Sequence, residues 1–161
     1  MENNSVSSYL AFSIDNEVFA IDVRSVIEVK DAQKLTKLPI RVKLVLGLMS
    51  YDDQYVPVID SRTKFDFPAI TQGSREVFII AEMVKSDTEQ LKLAFTADKV
   101  LGVMQIDSSK ISEMPKMGVN NVDYVIGITK VNDKSYIILD IDKVFSVDEI
   151  LLLEKTKLET V

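Results

Sequence analysis

The stretches VLGLMSYDDQYVPVIDSRTKF (45–65) and VIGITKVNDKSYIILDIDKVF (125–145) align without a gap, eighty positions apart. Val45/Val125, Gly47/Gly127, Asp53/Asp133, Asp60/Asp140 and Phe65/Phe145 are identical, and most other apolar positions exchange Leu, Ile and Val. Upstream of each, LAFSIDNEVFAI (10–21) echoes LAFTADKVLGVM (93–104). The order is the same in both halves, so the chain reads as one β unit used twice. A doubled β module with few candidate catalytic groups points to a surface that holds other proteins together. It does not point to a pocket that performs a reaction.

The chain has 161 residues, 47% of them hydrophobic, which fits a globular fold rather than disorder. A half-chain of ~70–80 residues buries little apolar surface and is marginal alone, so the halves are expected to pack against each other. Between 66 and 76 only the short connection DFPAITQGSRE intervenes. Net charge is −6 and the isoelectric point about 4.7, which disfavours nucleic acid and anionic membranes. No apolar run approaches the ~20 residues that span a bilayer. The start MENNSVSS lacks the basic and apolar segments of a secretory signal, and without cysteine no disulfide framework exists. These features lead to the expectation of a soluble cytoplasmic protein.

Alternation over Tyr9–Ile14 predicts a strand, Asp15-Asn16 a turn, and Glu17–Ile21 the returning hairpin partner. Asp22 is expected to cap a short helix in which Val23, Val26 and Ile27 share one side. Residues 44–51 and 54–60 read as strands around an Asp52-Asp53 turn, with Pro57 at an edge or bulge. In the second half, strands are expected over 76–84, 91–96 and 100–106, and 123–131 should pair with 134–140 across Asn132-Asp133. The runs YVIGI and YIIL suggest strands covered on both sides. A final helix is expected from the capping-box spacing of Ser146 and Glu149, followed by Ile150, Leu151, Leu153 and Leu158. It would close an open barrel end.

Histidine is absent, which removes the usual general base and the commonest metal ligand; with cysteine also missing, a structural zinc site has no donors of its customary kind. Glycines at 47, 73, 102, 118 and 127 are too scattered for a phosphate loop. Asp140 and Asp142 could share one strand face and hold a divalent cation. Alternatively Asp60 and Asp140, equivalent in the repeat, each cap the turn after a strand by accepting backbone N–H groups. No cofactor is expected.

Read together, YLAFSIDNEVFAIDVRSVIEV, the stretch from Gly47 to Arg62 with its Pro-Val-Ile-Asp-x-Arg ending, TADKVLGVMQI and SYIILDIDKVF resemble the CheW-like coupling proteins of bacterial chemotaxis over residues 7–150. The resemblance implies a mainly β fold. Two intertwined SH3-like five-stranded β-barrel subdomains (17–75 and 76–140) would form a single domain over 1–161, with short helices. The N-terminal strand and a C-terminal helix would bridge them. It implies a non-catalytic adaptor between the cytoplasmic tip of a chemoreceptor and the regulatory domain of a CheA-type histidine kinase, with other CheW-like proteins as further partners. By motif position the receptor groove falls on Val23, Val26, Val29 and Val100, with Glu28 on its rim. For each valine, plain core packing is the competing reading. Kinase contact would fall on Thr36, Gly47, Tyr51, Asp52 and Asp53.

The chain departs from the family where Asn-Leu-Arg-Gly is usual and Ser50-Tyr51-Asp52-Asp53 stands instead. Aspartate reverses the sign of the arginine and lacks its fork of donors. That fits a divergent paralogue with altered partner choice. Two other readings stay open: a ring-filling structural module without receptor binding, and a carboxylate- or metal-dependent enzyme on a double β-barrel.

Overall fold

The computed structural model describes residues 6–39, 43–71, 74–84, 86–114, 123–144 and 149. Ten strands dominate them: β1 (Val6–Ile14), β2 (Glu17–Asp22), β3 (Val26–Asp31), β4 (Val45–Tyr51), β5 (Gln54–Ile59), β6 (Val77–Val84), β7 (Gln90–Ala97), β8 (Lys99–Asp107), β9 (Val125–Val131) and β10 (Lys134–Leu139). One turn of helix, α1 (Ser61–Lys64), follows β5, and 3-10 turns at Val23–Ser25 and Ser108–Lys110 follow β2 and β8. Three hairpins are set by local chemistry. Asp15-Asn16, Asp52-Asp53 and Asn132-Asp133 all take positive φ, between 51° and 69°. Paired positive φ gives a turn whose twist matches the flanking strands, and Asn and Asp tolerate it better than other residues with a Cβ.

The strands form two five-stranded sheets, ordered β8-β1-β2-β10-β9 and β3-β6-β7-β5-β4. Side by side, the orders match β1 with β6, β2 with β7, β3 with β8, β4 with β9 and β5 with β10. Each half of the chain thus supplies five equivalent strands, the first two to one sheet and the last three to the other. Parallel pairings of β2 with β10 and β5 with β7 complete the exchange. The boundary expected at 75/76 separates the repeats and not the barrels. One sheet takes β3 to β7, and the other takes β1, β2 and β8 to β10. The echo between 10–21 and 93–104 is corrected likewise: β1–β2 is a hairpin, whereas β7 and β8 lie in different sheets and correspond to β2 and β3.

Each sheet closes on itself through the segment that follows its edge strand, β3 or β8. Beyond β3, Thr36 exchanges both backbone hydrogen bonds with Leu48 of β4, at 2.9 and 2.8 Å. Beyond β8, Ser112 does the same with Ile128 of β9, at 2.8 Å each way. Pro57 fits β5 because β7 pairs only with Val58 and Ile59, so no partner strand is denied an N–H.

One large core lies between the sheets, built on Leu10, Phe12, Ile14, Phe19, Ile21, Ile79, Leu93, Phe95 and Leu139 among others. Smaller cores fill each barrel, around Val58, Phe78 and Ile80 in one and Ala20, Ile106 and Ile138 in the other. Among the described residues, most of the buried apolar side chains therefore lie between the sheets, as two marginal units require.

Three further expectations change. Asp22 does cap a helix, accepting from the Arg24 N–H at 2.9 Å, but the helix is one 3-10 turn and Val26 and Ile27 already belong to β3. YVIGI is not covered on both sides: Ile126 is 48% exposed at a sheet edge. Asp140 and Asp142 lie in the turn after β10 instead of on a strand face. The expected C-terminal helix falls outside the described residues apart from Glu149, whose carboxylate takes Lys64 Nζ at 2.8 Å.

Candidate functional site

The edge strands β3 and β8 carry the candidate groove residues other than Val23. Opposite residues on paired strands point to the same face. Val26 and Val29 face the same way as Ala81 and Ile79, which belong to the core between the sheets. Val100 and Val103 pair with Phe12 and Leu10 of that core. Val26, Val29 and Val100 are half-buried and pack against it, so core packing and a solvent-reached margin coexist in the same side chains. Val23 is also half-buried, in the 3-10 turn that packs against β1 and β6.

Val103 escaped the sequence reading although it is 60% exposed and equivalent to Val29. The signal was present in VIEV (26–29) against VLGV (100–103), an offset of 74 that the competing echo at 10–21 obscured. The register also shifts once in each of four pairings, leaving Ile27, Leu46, Leu101 and Ile126 as extra residues. An added residue breaks the alternation and turns a side chain outward. All four are large, apolar and 39–48% exposed.

Glu28 does not lie with the valines. It pairs with Ile80, a residue of the barrel interior, and accepts from the Tyr51 hydroxyl at 2.9 Å. Lys30 Nζ lies 3.8 Å from Glu28 and 5.3 Å from the centre of the Tyr51 ring. One residue of the expected receptor set therefore joins one of the expected kinase set. Thr36 and Gly47 are brought together as well, across the barrel closure. Asp52 and Asp53 form the adjoining turn. The hydrogen bond to Glu28, then desolvation and the charges of Glu28 and Asp52, hold the Tyr51 phenol above its ordinary pKa. In Glu28→Gln, the Tyr51 midpoint should fall toward the usual tyrosine value, followed by ring resonances against a Tyr51→Phe control. An unmoved midpoint would show that the hydrogen bond is absent in solution.

The repeated carboxylates act as caps. Asp60 accepts from the N–H groups of Arg62 (3.1 Å) and Thr63 (3.4 Å) and from the Thr63 hydroxyl (2.7 Å). Asp140 accepts from the Asp142 N–H at 3.0 Å, and Asp142 from the Val84 N–H at 2.8 Å. Among the described residues no three acidic side chains converge as a metal cage would require, and no helix is long and apolar enough to cross a membrane.

At one end of the seam the Arg62 guanidinium spans Asp98, at 2.8 and 2.9 Å, Asp15 at 3.2 Å and the Pro68 carbonyl at 2.8 Å. This joins the β1–β2 turn, α1 and the β7–β8 junction. At the equivalent end lies an open cleft of about 530 Å³, with Tyr9, Asp22, Arg24, Glu82 and Asp142 on its walls.

Residues 8–149 match the family model described as CheW-like domain. The chain is 24% identical to the chemotaxis protein CheW of Klebsiella aerogenes over 147 residues, covering 91% of this chain and 86% of that one. It is 25% identical to the chemotaxis protein CheW of Thermotoga maritima over 150 residues, 90% of each. Among solved structures, the scaffolding protein TtCheW from Thermoanaerobacter tengcongensis superposes with a TM-score of 0.76 at 26% identity, over 90% of this chain and 96% of that one.

Proposed function

The chain belongs to the family of CheW-like domain proteins, and from that premise we propose that it is a non-catalytic adaptor coupling the cytoplasmic tips of chemoreceptors to a CheA-type histidine kinase. The observation that carries this is that Val26 and Val29 on β3 and Val100 on β8 are half-buried against the shared core, while Val103 on β8 is exposed. An apolar strip bordered by polar groups suits the apolar face of a helix laid against it. The kinase would meet the other surface, around Thr36, Gly47, Tyr51, Asp52 and Asp53. There Asp52 places a negative charge where the family usually offers an arginine, and this supports a divergent paralogue whose partner carries a matching Lys or Arg.

A mixing assay of this chain, a receptor tip fragment and the kinase regulatory domain, scored pairwise and together, tests both contacts. Val103→Asp should weaken the receptor fragment by roughly tenfold, since a charge at an apolar anchor costs over 1 kcal/mol, and leave kinase binding intact. Asp52→Arg should alter kinase affinity alone. Kinase binding with no receptor binding at any concentration would sink the coupling role in favour of a ring-filling module.

A further inference from the structure

The two ends of the seam carry equivalent residues with inverted charge. Eighty positions relate Arg62 to Asp142, and the β2–β3 and β7–β8 junctions, 74 apart, relate Arg24 to Asp98. At the closed end the arginine and the carboxylate meet, Arg62 on Asp98 at 2.8 Å. At the other end they do not. Arg24 turns outward with its side chain 84% exposed and pairs with Asp22 at 2.7 Å, while Asp142 is held by the Val84 N–H.

Between them the 530 Å³ cleft stays open. Its apolar walls include Ile27 and Ile126, the extra residues of their strands, and Val84, all 39–48% exposed. Glu82, Asp140 and Asp142 add carboxylates, and among the described residues no lysine or arginine closes on any of the three. Arg24, the one cation on the walls among the described residues, already answers Asp22. Burial, then the charge of Asp22, push the Tyr9 phenol up, and Arg24 opposes them.

We propose that this cleft docks a partner protein segment presenting an arginine or lysine beside a leucine-sized side chain. The cation takes the part that Arg62 plays internally at the opposite end, and the apolar neighbour packs between Ile27 and Ile126. Charge complementarity selects this occupant: a chain of net charge −6 offers here an apolar slot rimmed by carboxylates of Glu82, Asp140 and Asp142 that, among the described residues, no lysine or arginine neutralises. The cleft adjoins Val23 and Val26 through Arg24, Ser25 and Ile27, but its carboxylates come from β6 and the turn after β10, so the proposal does not depend on the coupling role.

Two short synthetic helices with the same leucine spacing test it, one carrying lysines and the other glutamates. Titrated into the isotope-labelled full chain, the lysine helix should shift the amides of Ile27, Val84, Ile126 and Asp142, and the glutamate helix should not. Glu82→Gln with Asp142→Asn, which keeps an oxygen for the Val84 N–H, should weaken the lysine helix by roughly fivefold without changing the melting temperature. Asp142→Arg, the counterpart of Arg62, should block it. Shifts confined to other surfaces, equal binding of both helices, or undiminished binding by the double variant would overturn the proposal. So would the same shifts appearing with protein concentration alone, which would make a second copy of this chain the occupant.

Discussion

Replacing Arg62 with methionine should cost about 3 kcal/mol of stability, the range measured when one partner of a buried ion pair is removed. For a chain of this length that lowers the melting temperature by roughly 6–12 °C. The Arg62 side chain is 10% exposed, and those of Asp98 and Asp15 are 28% and 40% exposed, so solvent screening keeps the loss below the upper end of that range. Without the guanidinium, two carboxylates lie together at the seam and the Pro68 carbonyl loses its donor. The loss should depend on pH in a definite direction. Burial, then the charges of Asp60 and Asp98, raise the pKa of Glu76, and Arg62 opposes them. Because the folded value is above the unfolded one, its penalty is absent below the unfolded pKa and develops as pH rises through the folded one. Removing Arg62 raises Glu76 further, so the deficit of the variant should be full at neutral pH and narrow on acidification. Thermal melts across that range are the measurement. A deficit independent of pH would mean that Arg62 contributes packing and not charge. Arg62→Lys, which keeps the charge but loses the two-pronged contact, should recover only part of the loss.

The parts of this fold that sequence reading found are those decided by neighbours in the chain. The hairpin turns follow from Asp-Asn, Asp-Asp and Asn-Asp pairs, and the eighty-residue repeat preserves a hairpin with its capping aspartate. What it missed is decided at long range. The crossing of the chain to the other sheet after β2 and after β7 leaves no local trace, because a strand alternates in the same way whichever sheet receives it. Each extra residue at Ile27, Leu46, Leu101 and Ile126 shifts the phase of the alternation in mid-strand, and short apolar runs such as YVIGI then look covered on both faces. Motif position, which the family resemblance supplies, puts Glu28 on the groove rim. One inserted residue, Ile27, puts it on the opposite face, against Tyr51. Arg62 stood out only as the last letter of a motif. Its partners Asp98 and Asp15 lie 36 and 47 positions away, and pairing over that separation follows from topology and not from spacing.

The identity of Gly47 and Gly127 in the repeat has its cause in barrel closure, and a side chain at either should open the barrel. A Cβ on Gly47 would stand 2.8 Å from the Thr36 carbonyl oxygen and 3.0 Å from Leu35 Cβ. On Gly127 it would fall on the Ser112 carbonyl oxygen and the Ile111 side chain. In both cases the obstacle includes the carbonyl that accepts the bridge hydrogen bond, that of Thr36 or Ser112, so no rotamer change relieves it. Forced overpacking costs typically ~1–3 kcal/mol, and moving the segment away surrenders two backbone hydrogen bonds of about 1 kcal/mol each. Gly127→Ala should therefore lower the melting temperature by roughly 5–10 °C, and Gly127→Val by more. The damage should be local before it is global. Amide exchange at Ser112 and Ile128 should accelerate in Gly127→Ala while Thr36 and Leu48 keep their protection, and Gly47→Ala should show the reverse. A valine at 127 tolerated with both bridges still protected would mean that the closing strands do not approach as closely as the repeat requires. The two glycines would then be identical for some reason other than closure.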